Sequence, residues 1–437
     1  MSGRETALNV LIACRKNGAW SNGVLKEYVL RDRLDPREAA LAARLCYGVL
    51  QNRGKLDFYL KQLLTGKLKD LHPVVHDILQ LGLYQLFEMD KIPTSAAVNE
   101  SVALAKKYCG KQRNASGLVN AVLRSADRRR KELEGPVTLA DRYSHPQNLI
   151  DLLESYVGKE RLEGMLAADN AAVPMVVQVN TLRTATGELT KCLEGEGVTV
   201  SAHPWMPDCL ILEGTGNLES LQAFRDGLFY VQDAAARLSV LCAQIPQNAR
   251  VLDCCAAPGG KSFAAAISMA GTGSITSCDI HPHKVSLIQK GAARLGLDNI
   301  TAQVQDASVQ NPAWIESMDA VIADVPCSGY GIIRKKPDIR YKDPEPLMEL
   351  SAIQAAILDN AARYVRPGGV LLYSTCTVLE RENEGVARAF LENHHDYKAE
   401  AFTLPGIIGE VGSGMITLWP HRHGTDGFFI CKMRKGE

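Results

Sequence analysis

Two cysteines carry the most chemistry in this chain: Cys327 in Asp324-Val-Pro-Cys-Ser-Gly329 and Cys376 in Tyr373-Ser-Thr-Cys-Thr377. Each follows a short apolar run, Ala320-Val-Ile-Ala323 or Val370-Leu-Leu-Tyr373, that reads as a buried parallel strand. Ligands of open α/β sheets bind beyond the carboxyl ends of the strands. Two thiols and the Asp324 carboxylate placed there can attack an electrophilic carbon and later release the adduct.

A second cluster is Val251-Leu-Asp-Cys-Cys-Ala-Ala-Pro-Gly-Gly-Lys-Ser262, a strand, a glycine turn and a helix start. Gly260-Lys-Ser matches the end of a phosphate-binding P-loop, but Cys255 stands where that loop needs its first glycine. The nicotinamide fingerprint G-x-G-x-x-G is absent as well. Asp279 and Asp306 end the next two strands, where one carboxylate can accept ribose hydroxyls and the other the adenine amine. Such a set suits an adenosine carrying an amino-acid tail instead of phosphates, which describes S-adenosylmethionine. Arg334-Lys-Lys336 and Arg340 follow Cys327 in a basic loop that could hold phosphates.

The elements that must position these groups alternate regularly from Ala249 onward. Strands are expected at 250–254, 274–279, 300–304, 319–324 and 369–375, and helices at 260–270, 283–295, 346–365 and 382–394. This predicts a doubly wound, Rossmann-like sheet over 233–437, closed at one edge by antiparallel tail strands at 416–418 and 427–433. Residues 173–232 predict a small α+β, ferredoxin-like subdomain, with strands at 175–180, 199–202, 209–212 and 228–231. Residues 1–130 predict an all-helical domain, with helices over 73–88, 95–108 and 117–126. A charged, partly helical connector spans 131–172.

Length and composition bound the class. The 437 residues, 46% hydrophobic and 22% charged, are those of an ordinary multidomain globular chain. No apolar run is long enough to span a membrane and the start lacks a signal-peptide core, so a cytoplasmic protein with reduced thiols is expected. The 12 cysteines show no zinc-site spacing, and no metal is expected. The net charge of zero hides an asymmetry: residues 1–135 hold 23 Lys+Arg against 14 Asp+Glu, a balance of +9 that the remainder cancels. A basic helical module joined to an acidic one points to a nucleic-acid partner.

Cys255-Ala-Ala-Pro-Gly-Gly-Lys261, Asp324-Val-Pro-Cys-Ser-Gly329, Pro337-Asp-Ile-Arg340, Ser374-Thr-Cys-Thr-Val378 with Glu382-Asn-Glu384, and Asp426-Gly-Phe-Phe-Ile430 together resemble the RNA cytosine-C5 methyltransferases of the Sun/Nop2 family. Residues 1–127, notably Ile92-Pro-Thr-Ser-Ala-Ala-Val-Asn-Glu100, resemble the NusB RNA-binding domain carried by bacterial ribosomal RNA members of that family. The resemblance implies Cys376 as nucleophile toward cytosine C6, Cys327 as the thiol that aids release, and Asp324 as the contact to the N3/N4 edge. It implies Lys261 as a contact to base or cofactor. S-adenosylmethionine would be held by Cys255, Ala256, Ala257, Pro258, Gly259, Gly260, Lys261, Asp279, Asp306 and Asp324. DNA cytosine-C5 enzymes attack with the Pro-Cys thiol instead, so the residues alone leave the order of the thiols open. The implied substrate is 16S ribosomal RNA, free or early in assembly, acted on by a monomer. The rivals are transfer RNA as substrate, a NusB-like RNA-binding factor without activity, and a methyltransferase for a protein or small molecule.

Overall fold

The computed structural model describes residues 1–112, 114–342 and 349–437. They form two compact units: Met1–Ala171 with Ile333–Lys342, and Ala172–Ile332 with the described residues from 349 onward. Among the described residues no helix is long and apolar enough to cross a membrane.

The first unit is helical: α1 (Gly3–Asn17), α2 (Ser21–Arg31), α3 (Pro36–Leu63), α4 (Pro73–Glu88), α5 (Thr94–Tyr108), α6 (Ala115–Arg128), α7 (Leu139–Tyr143), α8 (Gln147–Val157) and α9 (Lys159–Asn170). Pro36 opens α3, and Asp35 caps it by accepting the Arg37 and Glu38 N–H groups at 2.9 Å each. A cap of this kind contributes about 1 kcal/mol. On α6, Ala115, Val119, Val122, Leu123 and Ala126 form one buried stripe. They join Leu8, Leu45, Leu56, Leu60, Ile78 and Leu83 in a single core. Gly48 of α3 is required by this packing, since a Cβ there would lie 2.0 Å from the Tyr84 ring. Helix α2 buries only Ser21 and Leu25, so no apolar stripe announces it, and it has no counterpart among the expected elements.

The second unit holds two larger sheets. The smaller contains β1 (Met175–Val179), β2 (Thr199–Ala202), β3 (Cys209–Glu213) and β4 (Phe229–Val231), all antiparallel in the order β2-β3-β1-β4. Helices α10 (Thr186–Gly195) and α11 (Gln222–Arg225) complete this ferredoxin-like subdomain. Asn180 donates to the carbonyls of Gly227 and of Leu295, at the end of the helix Pro282–Leu295, at 2.9 Å each.

The larger sheet contains β5 (Arg250–Asp253), β6 (Ser274–Asp279), β7 (Ile300–Val304), β8 (Met318–Asp324), β9 (Val365–Thr375) and β10 (Tyr397–Ala399). A separate hairpin of β11 (Phe402–Leu404) and β12 (Gly409–Val411) precedes β13 (Met415–Leu418) and β14 (Phe428–Lys435). The order is β10-β14-β9-β8-β5-β6-β7, parallel from β9 to β7. Its helices are α12 (Ala234–Ala243), α13 (Gly260–Ser268), α14 (Pro282–Leu295), α15 (Leu350–Ala362), α16 (Glu384–Asn393) and α17 (Pro420–His423). The first residues of the helix expected at 346–365 lie outside the described residues.

The tail strands lie at that edge antiparallel, as expected, with β14 on β9 and β13 on β14; β10, which no expectation covered, also pairs with the outer side of β14. Helix α12 is also unanticipated. It is apolar on nearly every face, so it has no helical period to read.

Candidate active site

The strand order reverses between β5 and β8, one leading outward to β6 and the other continuing to β9. Loops after these strands are therefore the place for a ligand. After β5 the chain turns through Cys254–Gly259 into α13. Gly259 has φ +113°, and a Cβ there would lie 2.3 Å from the Phe263 ring. Ala256 is buried with its N–H on the Cys278 carbonyl at 2.7 Å, Ala257 is half-buried and Pro258 is exposed. Under the turn Asp253 is fully buried and accepts Ser262 Oγ at 2.7 Å. Burial pushes its carboxyl up to about 7.

Beside this loop opens a cavity of about 700 Å³, whose walls include Cys255, Asp279, Asp306, Pro326, Ile280 and Ile353. The Asp279 carboxylate is fixed by the His281 N–H at 3.0 Å. Asp306 Oδ1 takes the N–H and hydroxyl of Ser308 at 2.9 and 2.6 Å, which holds its carboxyl below the usual range and leaves Oδ2 for a ligand. Ile280 and Ile353 are 52% and 46% exposed. Two carboxylate acceptors and bare aliphatic carbon lining one cavity fit a nucleoside: the acceptors take hydroxyls and an amine, and the aliphatics take a base face. The residues present therefore fit the adenosyl part of S-adenosylmethionine.

The two thiols meet. Cys327, in the loop after β8, places Sγ 3.2 Å from Sγ of Cys376, directly after β9. The neighbouring Cys376 thiol, and then burial, hold the Cys327 thiol well above the ordinary range. Asp324 ends β8 half-buried, its Oδ2 on Lys261 Nζ at 2.6 Å and its Oδ1 on Ser374 Oγ at 2.8 Å. Lys261 is 9% exposed and rests 5.0 Å from the Phe428 ring centroid. Cys376, Cys327, Asp324 and Lys261 thus converge as the sequence suggested, on strands β8, β9 and the start of α13.

Residues without an assigned role hold this pair in register. Glu382 is fully buried, and its Oε2 accepts both the Ser328 N–H and Gln354 Nε2 at 2.9 Å. Asn383 accepts Thr375 Oγ1 at 2.6 Å and donates to the Thr377 carbonyl at 3.0 Å, spanning Cys376. Gly331 donates to the Cys376 carbonyl at 3.0 Å and accepts the Gly427 N–H at 2.8 Å. A Cβ on Gly331 would lie 1.9 Å from the Gly427 oxygen, so the two loops approach as only glycine permits. The signal for Glu382 and Asn383 was the Glu-Asn-Glu motif, which says nothing of what the side chains touch.

The basic stretch behaves differently. Arg334, Lys335, Lys336 and Arg340 belong by their contacts to the helical unit. The expectation that Arg340 holds RNA is corrected: the residue is 3% exposed. Its Nη1 donates to the carbonyls of Gln51 and Tyr143 at 3.0 and 3.1 Å, and its Nη2 to the Asp169 carbonyl at 3.0 Å and Asn170 Oδ1 at 2.6 Å. It is a structural tie. Arg334, Lys335 and Lys336 are half-buried.

A doubly wound sheet with a nucleoside cavity at its switch point and a paired thiol site beside it defines an S-adenosylmethionine-dependent methyltransferase. Family models agree in each part: 16S rRNA methyltransferase RsmB/F matches residues 240–434, the NusB family residues 1–128, and the RsmF/B-like ferredoxin-like domain residues 145–219. A Bacillus subtilis (strain 168) protein described as a probable ribosomal RNA small subunit methyltransferase B is 37% identical, over 99% of this chain and 98% of the relative. The ribosomal RNA small subunit methyltransferase B of Vibrio cholerae is 35% identical, over 93% and 91%. The solved structure of PH0851 superposes with a TM-score of 0.80 at 24% identity, over 100% of this chain and 99% of that one. A methyltransferase homologue from Pyrococcus horikoshii gives 0.59 at 26% identity, over 68% and 97%. The chain belongs to the RsmB family of ribosomal RNA small subunit methyltransferases.

Proposed function

We propose that this protein methylates C5 of a cytosine in 16S ribosomal RNA through a covalent adduct between Cys376 and C6 of the base. The observation that carries it is the sulfur–sulfur approach of 3.2 Å between Cys327 and Cys376, with the Lys261–Asp324–Ser374 chain alongside.

S-adenosylmethionine, held by Asp279, Asp306 and the Cys255–Lys261 loop, supplies an electrophilic methyl carbon. Cytosine C5 is too weak a nucleophile to take it unaided. Attack by Cys376 Sγ forms an S–C6 bond and shifts the C5–C6 π electrons, so that C5 becomes enamine-like. Asp324, oriented by Lys261 and Ser374, faces the N3/N4 edge and stabilises the charge that develops there. Once C5 carries the methyl group, a base takes the C5 proton, the C–H electron pair re-forms the C5–C6 double bond, and the S–C6 pair leaves with sulfur as the Cys376 thiolate. Cys327 assists that departure. The order of the two sulfurs, Cys376 attacking and Cys327 assisting, follows the family resemblance.

A paired cytosine hides C6 from a thiol, so the target base is unpaired or flipped out. The substrate is free or early-assembly RNA, met in the cytoplasm by a single copy of the chain. Transfer of labelled methyl from S-adenosylmethionine to unmodified small-subunit RNA, with transfer RNA in parallel, tests this. 5-Methylcytosine at one position of the ribosomal RNA is expected. Labelling of transfer RNA alone, or of neither, overturns it.

A further inference from the structure

Trp20 sits at the start of α2 and is 48% exposed, an unusual setting for the largest apolar side chain. It adds little to the core of its unit, since α2 buries only Ser21 and Leu25. Two ammonium groups lie at its ring, Lys342 Nζ 4.4 Å and Lys336 Nζ 5.9 Å from the centroid. The backbone around it is fixed. Asp338, 5% exposed, accepts the Ser21 N–H at 3.1 Å and the Ser21 hydroxyl at 2.9 Å. Lys342 Nζ also donates to the Ala19 carbonyl at 3.3 Å and to the Gly18 carbonyl. Arg340 anchors the same segment to the carbonyls near α3, α7 and α9.

The backbone that carries the indole is therefore fixed, and the ring stays 48% exposed with the two ammonium groups over it. Lysine 342 is already positioned by two carbonyls, so the ring is not needed to hold it. An aromatic face beside lysines is the arrangement that binds unpaired nucleic acid: the ring stacks on a base of any sequence, and the ammonium groups take flanking phosphates. We propose that Trp20, Lys336 and Lys342 form a stacking platform for an unpaired base of the RNA substrate, separate from the target cytosine. This rests on the ribosomal RNA reading above and names a residue class that the charge run did not reveal. It also gives the basic loop a role that Arg340 does not fill.

The test compares wild type with Trp20→Phe, Trp20→Ala and Lys336→Gln. Each is titrated with an unmodified 16S RNA fragment and with single-stranded oligoribonucleotides, followed by tryptophan fluorescence and filter binding. Wild-type fluorescence should quench, and Trp20→Phe should lose most of that signal while binding within about threefold of wild type. Trp20→Ala should bind about tenfold more weakly and raise the KM for RNA, with kcat and S-adenosylmethionine affinity unchanged. Lys336→Gln should reduce the salt dependence of binding by about one unit of slope. Trp20→Ala with wild-type RNA affinity and KM overturns the platform while methylation by wild type stands. Failure of wild type to methylate the RNA overturns the functional reading instead, and the oligoribonucleotide titration still decides the platform.

Discussion

The Glu382 carboxylate accepts the Ser328 N–H at 2.9 Å, one residue beyond Cys327, while its own carbonyl takes the Tyr373 hydroxyl, just upstream of Cys376. One buried residue thus pins the loops of both thiols. Glu382→Ala should lower kcat by at least tenfold and stability by about 3 kcal/mol, because buried donors lose their acceptor. Glu382→Gln keeps an acceptor and should recover most of the stability. S-adenosylmethionine affinity, read by calorimetry, should stay near wild type in Glu382→Gln. A wild-type kcat in Glu382→Ala would show that the thiol spacing does not depend on it.

Asp279 and Asp306 both line the cavity proposed to hold the cofactor. Asp279→Ala and Asp306→Ala should each weaken S-adenosylmethionine binding by about tenfold, as expected for loss of a hydrogen bond from a charged group. Asp306 is half-buried and bonded only within its own turn, so its variant should melt like wild type. Calorimetric titration and a thermal melt check both statements.

Asp253 gives a pH dependence. Burial raises its carboxyl from the ordinary 3.8 to about 7. Between those values the folded state holds a proton that the unfolded chain has released, so this contribution to stability is complete below about pH 4. It is lost as pH rises through 7. Asp253→Asn removes the ionisation. Relative to wild type it should gain stability between pH 4 and pH 8, by roughly a few kcal/mol. Melting curves of both proteins across that range provide the measurement, and a difference independent of pH would contradict it.

Arg340 should matter to folding rather than to RNA. Arg340→Ala leaves several buried carbonyls without donors and should cost about 3 kcal/mol in the helical unit. Arg340→Lys should restore little, since one ammonium cannot reproduce the planar fork. Denaturant melts report the loss.

Strands β5, β8 and β9 are legible in the sequence because each is an apolar run ending in a chemical group, β6 and β7 because they fall in the regular alternation with helices, and helices such as α4 and α6 because their apolar residues recur at helical spacing. Helices α2 and α12 are not, one with almost no buried face and the other with almost nothing else. β10, β11 and β12 are too short to show alternation. In the site, the thiols, Asp324 and Lys261 are legible as motifs. What Glu382 and Arg340 do is not, because a charged side chain in sequence looks solvated until burial shows which carbonyls and amides it satisfies.

The central claim is the covalent adduct and the order of the two sulfurs. A denaturing gel of wild type, Cys327→Ala and Cys376→Ala, each mixed with unmodified small-subunit ribosomal RNA and S-adenosylmethionine, tests it most directly. A protein–RNA band should accumulate in Cys327→Ala and be absent in Cys376→Ala. Accumulation in Cys376→Ala instead would exchange the two roles, and methyl transfer by Cys376→Ala at the wild-type rate would contradict the adduct altogether.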